Sequence, residues 1–258
     1  RFLNECQYSQ IMVSKEWFST WFDSPYYHIL YAQRDESEAA DFIASLQQKL
    51  HLAAGARVLD AACGKGRHAI TLAQLGFTVD AFDLSPANIE AAQEFENKDL
   101  LFFVHDLREP LPLKNQYDAI FNFFTSFGYF DDQIDNQKAF NTFAGGLKEN
   151  GLLVLDFFNP THVLANLVPT ETVICEGISF QIKRWSESGY LYKSIDFTDK
   201  GQNYSFVEKV ELVAKNDFVA YAAQAGFSLV DLKGDYKLSP FDEAASPRMI
   251  FVWAKTKI

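Results

Sequence analysis

A chain of 258 residues, 48% of them hydrophobic, has room for one large α/β domain with an insertion, or for two small domains, around a substantial core. Its formal net charge of −11, with no Lys/Arg stripe, weighs against nucleic acid as a partner, because phosphates are held by clustered cations. Cys6, Cys63 and Cys175 lie far apart with no metal-like pair, and no apolar run reaches membrane-spanning length, so a cytoplasmic protein without a membrane partner or metal is expected. The 25 phenylalanines suit a large aromatic core, an aromatic-lined chamber, or both.

In chain order, residues 1 to 15 carry little pattern. The aromatics of residues 17 to 31 are too dense for a solvated terminus and must pack on something. Ala39, Phe42, Ile43, Leu46 and Leu50 share one face of a predicted helix over residues 36 to 50, closed by Ala53-Ala54-Gly55. Val58-Leu59-Asp60 then reads as a strand, Ala61 to Gly66 as a tight turn, and Ile70, Leu72, Ala73 and Leu75 as the face of a helix. A second strand, Phe77 to Phe82, ends at Asp83, and Ser85-Pro86 starts a helix in the order cap then proline. A third strand, Leu101 to His105, ends at Asp106, and Pro110 and Pro112 keep the next crossover short.

The fourth strand, Tyr117 to Phe123, runs into the loop Phe124 to Phe130. A helix is expected over residues 132 to 149, with Asp131-Asp132 at its N-terminal end, where the macrodipole favours acids. Gly151 to Phe157 reads as a buried fifth strand. From 171 to 213 apolar positions alternate, with a turn or bulge at Gly177, which predicts three antiparallel strands. Phe218, Tyr221, Ala222 and Ala225 mark a last helix, and Phe227 to Leu232 and Met249 to Ala254 two last strands.

Strand, glycine turn and helix make the unit in which a ligand approaches the backbone, and Asp83 stands where an acid can hold both hydroxyls of a ribose. Asp60 separates the candidate cofactors. A dinucleotide sets its pyrophosphate against the helix N-terminus, where a carboxylate would repel it. S-adenosylmethionine carries a sulfonium and an ammonium instead, so acids beside the turn are tolerated or helpful. A turn without ligand and a NAD(P)-dependent oxidoreductase are the alternatives, and the oxidoreductase leaves Asp60 and Asp106 unexplained.

On these residues the chain resembles the class I S-adenosylmethionine-dependent methyltransferases. Val58 to Gly66 fits the first family motif, Phe82-Asp83-Leu84-Ser85 the second, His105-Asp106-Leu107 the adenine-contacting motif, Tyr117 to Phe123 the fourth strand, and Ala225-Gly226-Phe227 a matching tail. The resemblance implies a Rossmann-like, doubly wound, mostly parallel seven-stranded sheet with helices on both faces and a small antiparallel β insertion after the fifth strand. It implies a helical cap over residues 1–50, a cofactor-binding domain over 51–165 and 214–258, and a lid over 166–213. It puts Asp60, Ala62, Gly64, Gly66, Asp83, Leu84, Asn88, Asp106, Leu107, Asn122 and Phe123 around S-adenosylmethionine. It also implies that residues 17 to 34 fold over the cofactor, with Tyr27, Tyr31 and Arg34 at its methionine end. The nucleic-acid amino-methyltransferases show Asp/Asn-Pro-Pro-Tyr after the fourth strand; this chain has no proline there, which argues against that subgroup.

Methyl transfer from a sulfonium is an in-line displacement that needs alignment and exclusion of water, and positioning supplies roughly 7–11 kcal/mol of the barrier. A hydroxyl acceptor usually needs a base, whereas an amine must only arrive deprotonated. His28, His105, Tyr129 and Tyr236 are the candidate catalytic groups, with His105 read first as a structural histidine. The expected acceptor is a small molecule methylated on N or O. A non-catalytic S-adenosylmethionine-binding module is the alternative, and turnover separates the two.

Overall fold

The computed structural model describes residues 17–31 and 36–256. Two short helices, α1 (Trp17–Phe22) and α2 (Pro25–Leu30), precede a longer one, α3 (Glu36–Leu50). Strands and helices then alternate through β1 (Arg57–Ala61), α4 (Arg67–Gln74), β2 (Thr78–Asp83), α5 (Pro86–Gln93) and β3 (Leu100–Val104). β4 (Tyr117–Asn122), α6 (Gln133–Gly146), β5 (Leu147–Phe158) and α7 (Pro160–Ala165) follow. Four strands come next, β6 (Thr170–Cys175), β7 (Ile178–Glu187), β8 (Tyr190–Asp199) and β9 (Gln202–Glu211). The chain closes with α8 (Lys215–Gln224), β10 (Phe227–Lys233) and β11 (Arg248–Lys255). Residues 1 to 15 and Arg34 lie outside the described residues, as does the side chain of Ala39. Among the described residues no helix is long and apolar enough to cross a membrane.

Seven strands form one sheet in the order β10-β11-β5-β4-β1-β2-β3, in which β11 alone runs antiparallel to its neighbours. The central strands are apolar on both sides because helices cover both faces. Val58, Val79 and Ala119 point into a cluster with Phe42, Ile43 and Leu46 of α3, Ala69 and Leu72 of α4, and Ile89 of α5. Leu59, Ile120 and Leu153 point the other way, onto Phe140 and Phe143 of α6 and Phe218 of α8. The strand order reverses between β1 and β4, and a doubly wound sheet binds its ligand in the crevice beyond the carboxyl ends of those two strands.

The insertion is a separate antiparallel sheet, β6-β7-β8-β9, of four strands rather than the three expected. Its hairpins turn at Glu176-Gly177, Ser188-Gly189 and Lys200-Gly201, and both residues of each pair have positive φ. That is the two-residue turn whose twist matches the flanking strands, so Gly177 ends β6 instead of bulging a longer strand. Phe180, Ile182, Ile195 and Phe197 on this sheet cluster with Trp17, Phe18, Trp21 and Leu30 of α1 and α2. The aromatic segment at the start of the chain thus finds its packing on the insertion. α3 belongs instead to the helix layer of the large sheet.

Charged groups cross the face of the β6–β9 sheet that packs on α1 and α2, where Lys193 stands between its cross-strand neighbours Arg184 and Glu208. Glu208 Oε1 accepts from Trp21 Nε1 at 2.8 Å and from the Tyr31 hydroxyl at 2.6 Å, while Lys193 Nζ donates to the same hydroxyl. The α1–α2 segment and the β6–β9 sheet are therefore joined by a polar knot as well as by apolar packing.

Candidate functional site

The turn after β1 departs from ordinary backbone at three places, Ala62 (φ 62°), Gly64 (φ 56°) and Gly66 (φ 82°). It is closed by Cys63 N–H donating to Phe82 O (2.9 Å) and Gly66 N–H to Cys63 O (3.0 Å). The two glycines serve different ends. A Cβ on Gly66 would lie 2.5 Å from the Phe102 ring, so this position lets α4 approach the sheet. A Cβ on Gly64 would meet nothing within 4 Å, so the backbone there borders open space.

Asp83, at the end of β2, faces that space. Its Oδ2 accepts from Gly64 N–H (2.8 Å) and its Oδ1 from Ser85 N–H (2.9 Å), and burial pushes its carboxyl above the ordinary range against the pull of those amides. Each carboxylate oxygen keeps a lone pair for a hydroxyl. Ser85 caps α5 by accepting from Asn88 N–H (3.0 Å) and donates its hydroxyl to Asp23, in the corner between α1 and α2. Asn88 is buried in the first turn of α5, and Leu84 beside it is exposed.

Asp60 is 1% exposed, and its Oδ2 has no hydrogen-bond partner. Burial, and then the charge of Asp83, push this carboxyl up to about 7, opposed by the Ala69 amide and Arg67. On the neighbouring strand the buried Asn122 donates Nδ2 to Ala61 O (2.9 Å), and its Oδ1 is also without a partner. Unsatisfied buried oxygens are uncommon and ask for a donor. Two such oxygens, Asp60 Oδ2 and Asn122 Oδ1, lie at the carboxyl ends of the adjacent strands β1 and β4.

The remaining sequence candidates are placed as follows. Asp106 is gripped by Arg108 through Nε (3.0 Å) and Nη2; burial raises its carboxyl, but this guanidinium outweighs burial and holds it below the ordinary range. Leu107 is buried in the core on the α6 side. Phe123 is buried on the opposite face, stacked on Phe121 at 5.2 Å. His105 Nε2 lies 3.0 Å from Glu109 O, at the rim of the β3 edge. Tyr236 donates its hydroxyl to Asp156 (3.1 Å), and Tyr129 to Thr125 O.

Tyr27 packs its ring on Trp21, Phe22 and Tyr31. His28 is half-buried, and its imidazole is lowered by burial and then by Lys65 of the glycine turn, with Asp23 opposing. Asp23 and His28 thus bring the cap to the rim of the cleft. Tyr31 is committed to Glu208 of β9 and Lys193 of β8. Among the described residues no cluster of His, Cys, Asp and Glu has the make-up of a metal site.

The sequence reading passed over Asp156, a fully buried carboxylate on β5. Its Oδ2 accepts from Phe124 N–H (2.9 Å), its main-chain O accepts from Thr125 N–H (3.0 Å), and its Oδ1 accepts from Arg248 Nε (2.8 Å). Phe124 (φ 57°) and Thr125 (φ 63°) are successive non-glycine residues in left-handed backbone. Such residues cost of order 1–3 kcal/mol each and persist where surrounding bonds hold them. A lone acid at the end of the apolar run Leu152 to Leu155 was the one signal available in the sequence.

The match to known proteins agrees with this geometry. A family model described as a methyltransferase domain matches residues 58–151, from β1 into β5. Over 220 residues the chain is 28% identical to a putative methyltransferase of Bacillus subtilis (strain 168), covering 78% of this chain and 85% of that protein. Over 137 residues it is 36% identical to a glycine/sarcosine N-methyltransferase of Aphanothece halophytica, but the match spans only 51% of this chain and 49% of that one. An S-adenosylmethionine-dependent methyltransferase of Clostridium acetobutylicum ATCC 824 has the same fold, with a TM-score of 0.76 at 19% identity over 90% of this chain and 96% of that one.

Proposed function

The chain is a class I S-adenosylmethionine-dependent methyltransferase, and from that premise we propose that it methylates an amine of a small-molecule acceptor. S-adenosylmethionine supplies the methyl group, as a sulfonium substituent open to in-line attack. Asp83 holds the ribose hydroxyls, Asp60 Oδ2 and Asn122 Oδ1 receive the ammonium, and the backbone at Gly64 leaves room for the methionine portion. The two unpartnered buried oxygens support this reading, because an ammonium offers a donor to each and balances the charge of Asp60, which an anion cannot do.

On the acceptor side, the rings of Phe22, Tyr27 and Tyr129 close over the loop after β4 and keep water from competing for the methyl group. An amine needs only to lose its proton. His28, held below the ordinary imidazole range at the cleft rim, is the group placed to take it. The similarity to a glycine/sarcosine N-methyltransferase supports nitrogen over oxygen. A methyl-transfer screen against pooled amine metabolites, with labelled cofactor and mass detection, tests the proposal; transfer to hydroxyl acceptors alone would overturn it.

Two measurements test the cofactor site without an acceptor. S-adenosylmethionine and S-adenosylhomocysteine are expected to raise the melting temperature, with about 2.7 kcal/mol of stabilisation at one hundred times the dissociation constant. NAD and NADP are expected to give no shift, and a larger shift with NAD would contradict the assignment.

The second measurement concerns pH. Below about 7 the Asp60 carboxyl is protonated in the free protein, and a cationic ligand favours its ionised form. Binding at pH 6 therefore releases a proton, and affinity for S-adenosylhomocysteine falls by up to about tenfold per unit as pH drops below 7. The stability of the free protein runs the other way. A raised acid favours the folded state at low pH, and that contribution is lost as pH rises through 7. Calorimetry in two buffers of different ionisation enthalpy reads the proton; none released, with flat affinity between pH 6 and 8, would detach Asp60 from the ligand.

A further inference from the structure

The left-handed pair Phe124-Thr125 sits beyond the carboxyl end of β4 and is tied to the rest of the molecule through both amides, the Phe124 ring, and the Thr125 hydroxyl and carbonyl. Its two amides are taken by Asp156, as described above. Arg248, the first residue of β11, donates Nε to Asp156 Oδ1 (2.8 Å) and Nη2 to Thr125 Oγ1 (3.0 Å), so one guanidinium bridges the buried carboxylate and the loop side chain. The Phe124 ring is stacked between His68 of α4 (4.8 Å) and Tyr236 (5.0 Å), and Tyr236 itself donates to Asp156. Thr125 O accepts from the Tyr129 hydroxyl. The Tyr129 ring is in turn the surface on which Trp17 (5.6 Å) and Phe22 (5.5 Å) of the cap rest.

We infer that Arg248 is a positioning residue: with Asp156 it fixes the Phe124-Thr125 turn, and through Tyr129 that turn sets where the cap seats over the cleft. The inference rests on the methyltransferase reading only for what the loop faces; the mechanical link stands on the contacts themselves. A planar fork is what the task needs. Two donors held at a fixed angle can reach a carboxylate oxygen and a hydroxyl at once, and a single ammonium cannot hold both in that geometry. The two left-handed residues have no local reason to stay so, since neither is glycine or asparagine, so their conformation depends on these outside bonds.

Two variants test this. Arg248→Lys keeps a positive charge opposite Asp156 without the fork, and Thr125→Val removes only the hydroxyl that accepts from Arg248. Hydrogen exchange is followed over residues 124–130 and over α1, together with S-adenosylhomocysteine affinity by calorimetry and, with the acceptor found by the screen, kcat and both KM values. Exchange in both segments is expected to be at least tenfold faster in either variant, with no further increase in the double variant, because both break the same link. S-adenosylhomocysteine affinity is expected to stay within threefold of wild type, and kcat to fall at least tenfold with the cofactor KM unchanged. Exchange that stays at the wild-type rate over α1 in both variants would overturn the inference and leave Arg248 as the partner of a buried charge. Should Arg248→Lys fail to fold, Thr125→Val decides alone. A wild-type protein that does not bind S-adenosylhomocysteine would sink the methyltransferase reading, while the exchange comparison would still judge the link.

Discussion

Asp83→Ala is expected to weaken S-adenosylhomocysteine binding by at least about tenfold while the protein stays folded. The carboxylate offers two ribose hydroxyls a charged acceptor, and hydrogen bonds to charged groups are worth about 1.5–3 kcal/mol each. Loss of even the weaker one reaches the tenfold level. The fold tolerates the change because burial already penalises the charge of this side chain, as its raised carboxyl shows. What alanine leaves behind is a pair of amides, Gly64 and Ser85, bordering a cleft that water can enter. Calorimetry reads the affinity and a thermal scan the fold. Equal affinity in wild type and variant would remove Asp83 from the site.

Gly66→Ala is expected to be strongly destabilising. Its Cβ would lie 2.5 Å from the Phe102 ring, at a backbone φ of 82°. Overpacking costs typically about 1–3 kcal/mol and the left-handed conformation roughly 1–2 kcal/mol more. At about 2–4 °C per kcal/mol for a domain of this size, the melting temperature should drop by about 4–20 °C. Gly64→Ala supplies the control. Its Cβ meets nothing, so stability changes by the conformational term alone, while the methyl group intrudes on the space assigned to the cofactor. A Gly66→Ala variant melting like wild type would show that Phe102 can move aside, and that α4 does not need the close approach.

The parts of the site that could be read from the sequence are those whose cause is local. Val58 to Gly66 places an acid, a turn and a helix within one short stretch, and Asp83 ends the next strand, so both acids follow from chain order alone. The lid was half legible. Gly177 was noticed as a break, but the same residue pattern recurs at Gly189 and Gly201, and each is the second residue of a two-residue hairpin turn. Counting all three gives four strands.

What stayed hidden depends on partners far apart in the chain. Asp156 and Arg248 are separated by 92 positions, and Trp21 and Glu208 by 187. No periodicity announces such a pair before the sheets are assembled. The sequence makes Tyr31 a candidate for the cofactor's methionine end and Tyr129 a catalytic candidate, yet their hydroxyls are directed by Glu208, Lys193 and Thr125, which only the folded chain brings to them.

The polar knot at Glu208 has a consequence for redesign. The stretches α1–α2 and β6–β9 lie far apart in the chain, yet Glu208 of the second accepts from Trp21 and Tyr31 of the first. A chimera that imports only the β insertion from another methyltransferase would leave the native indole and phenol donors without their carboxylate, and one that imports only the leading helices would strand the carboxylate. The two stretches are expected to exchange together, and a single crossover between Tyr31 and Thr170 separates them.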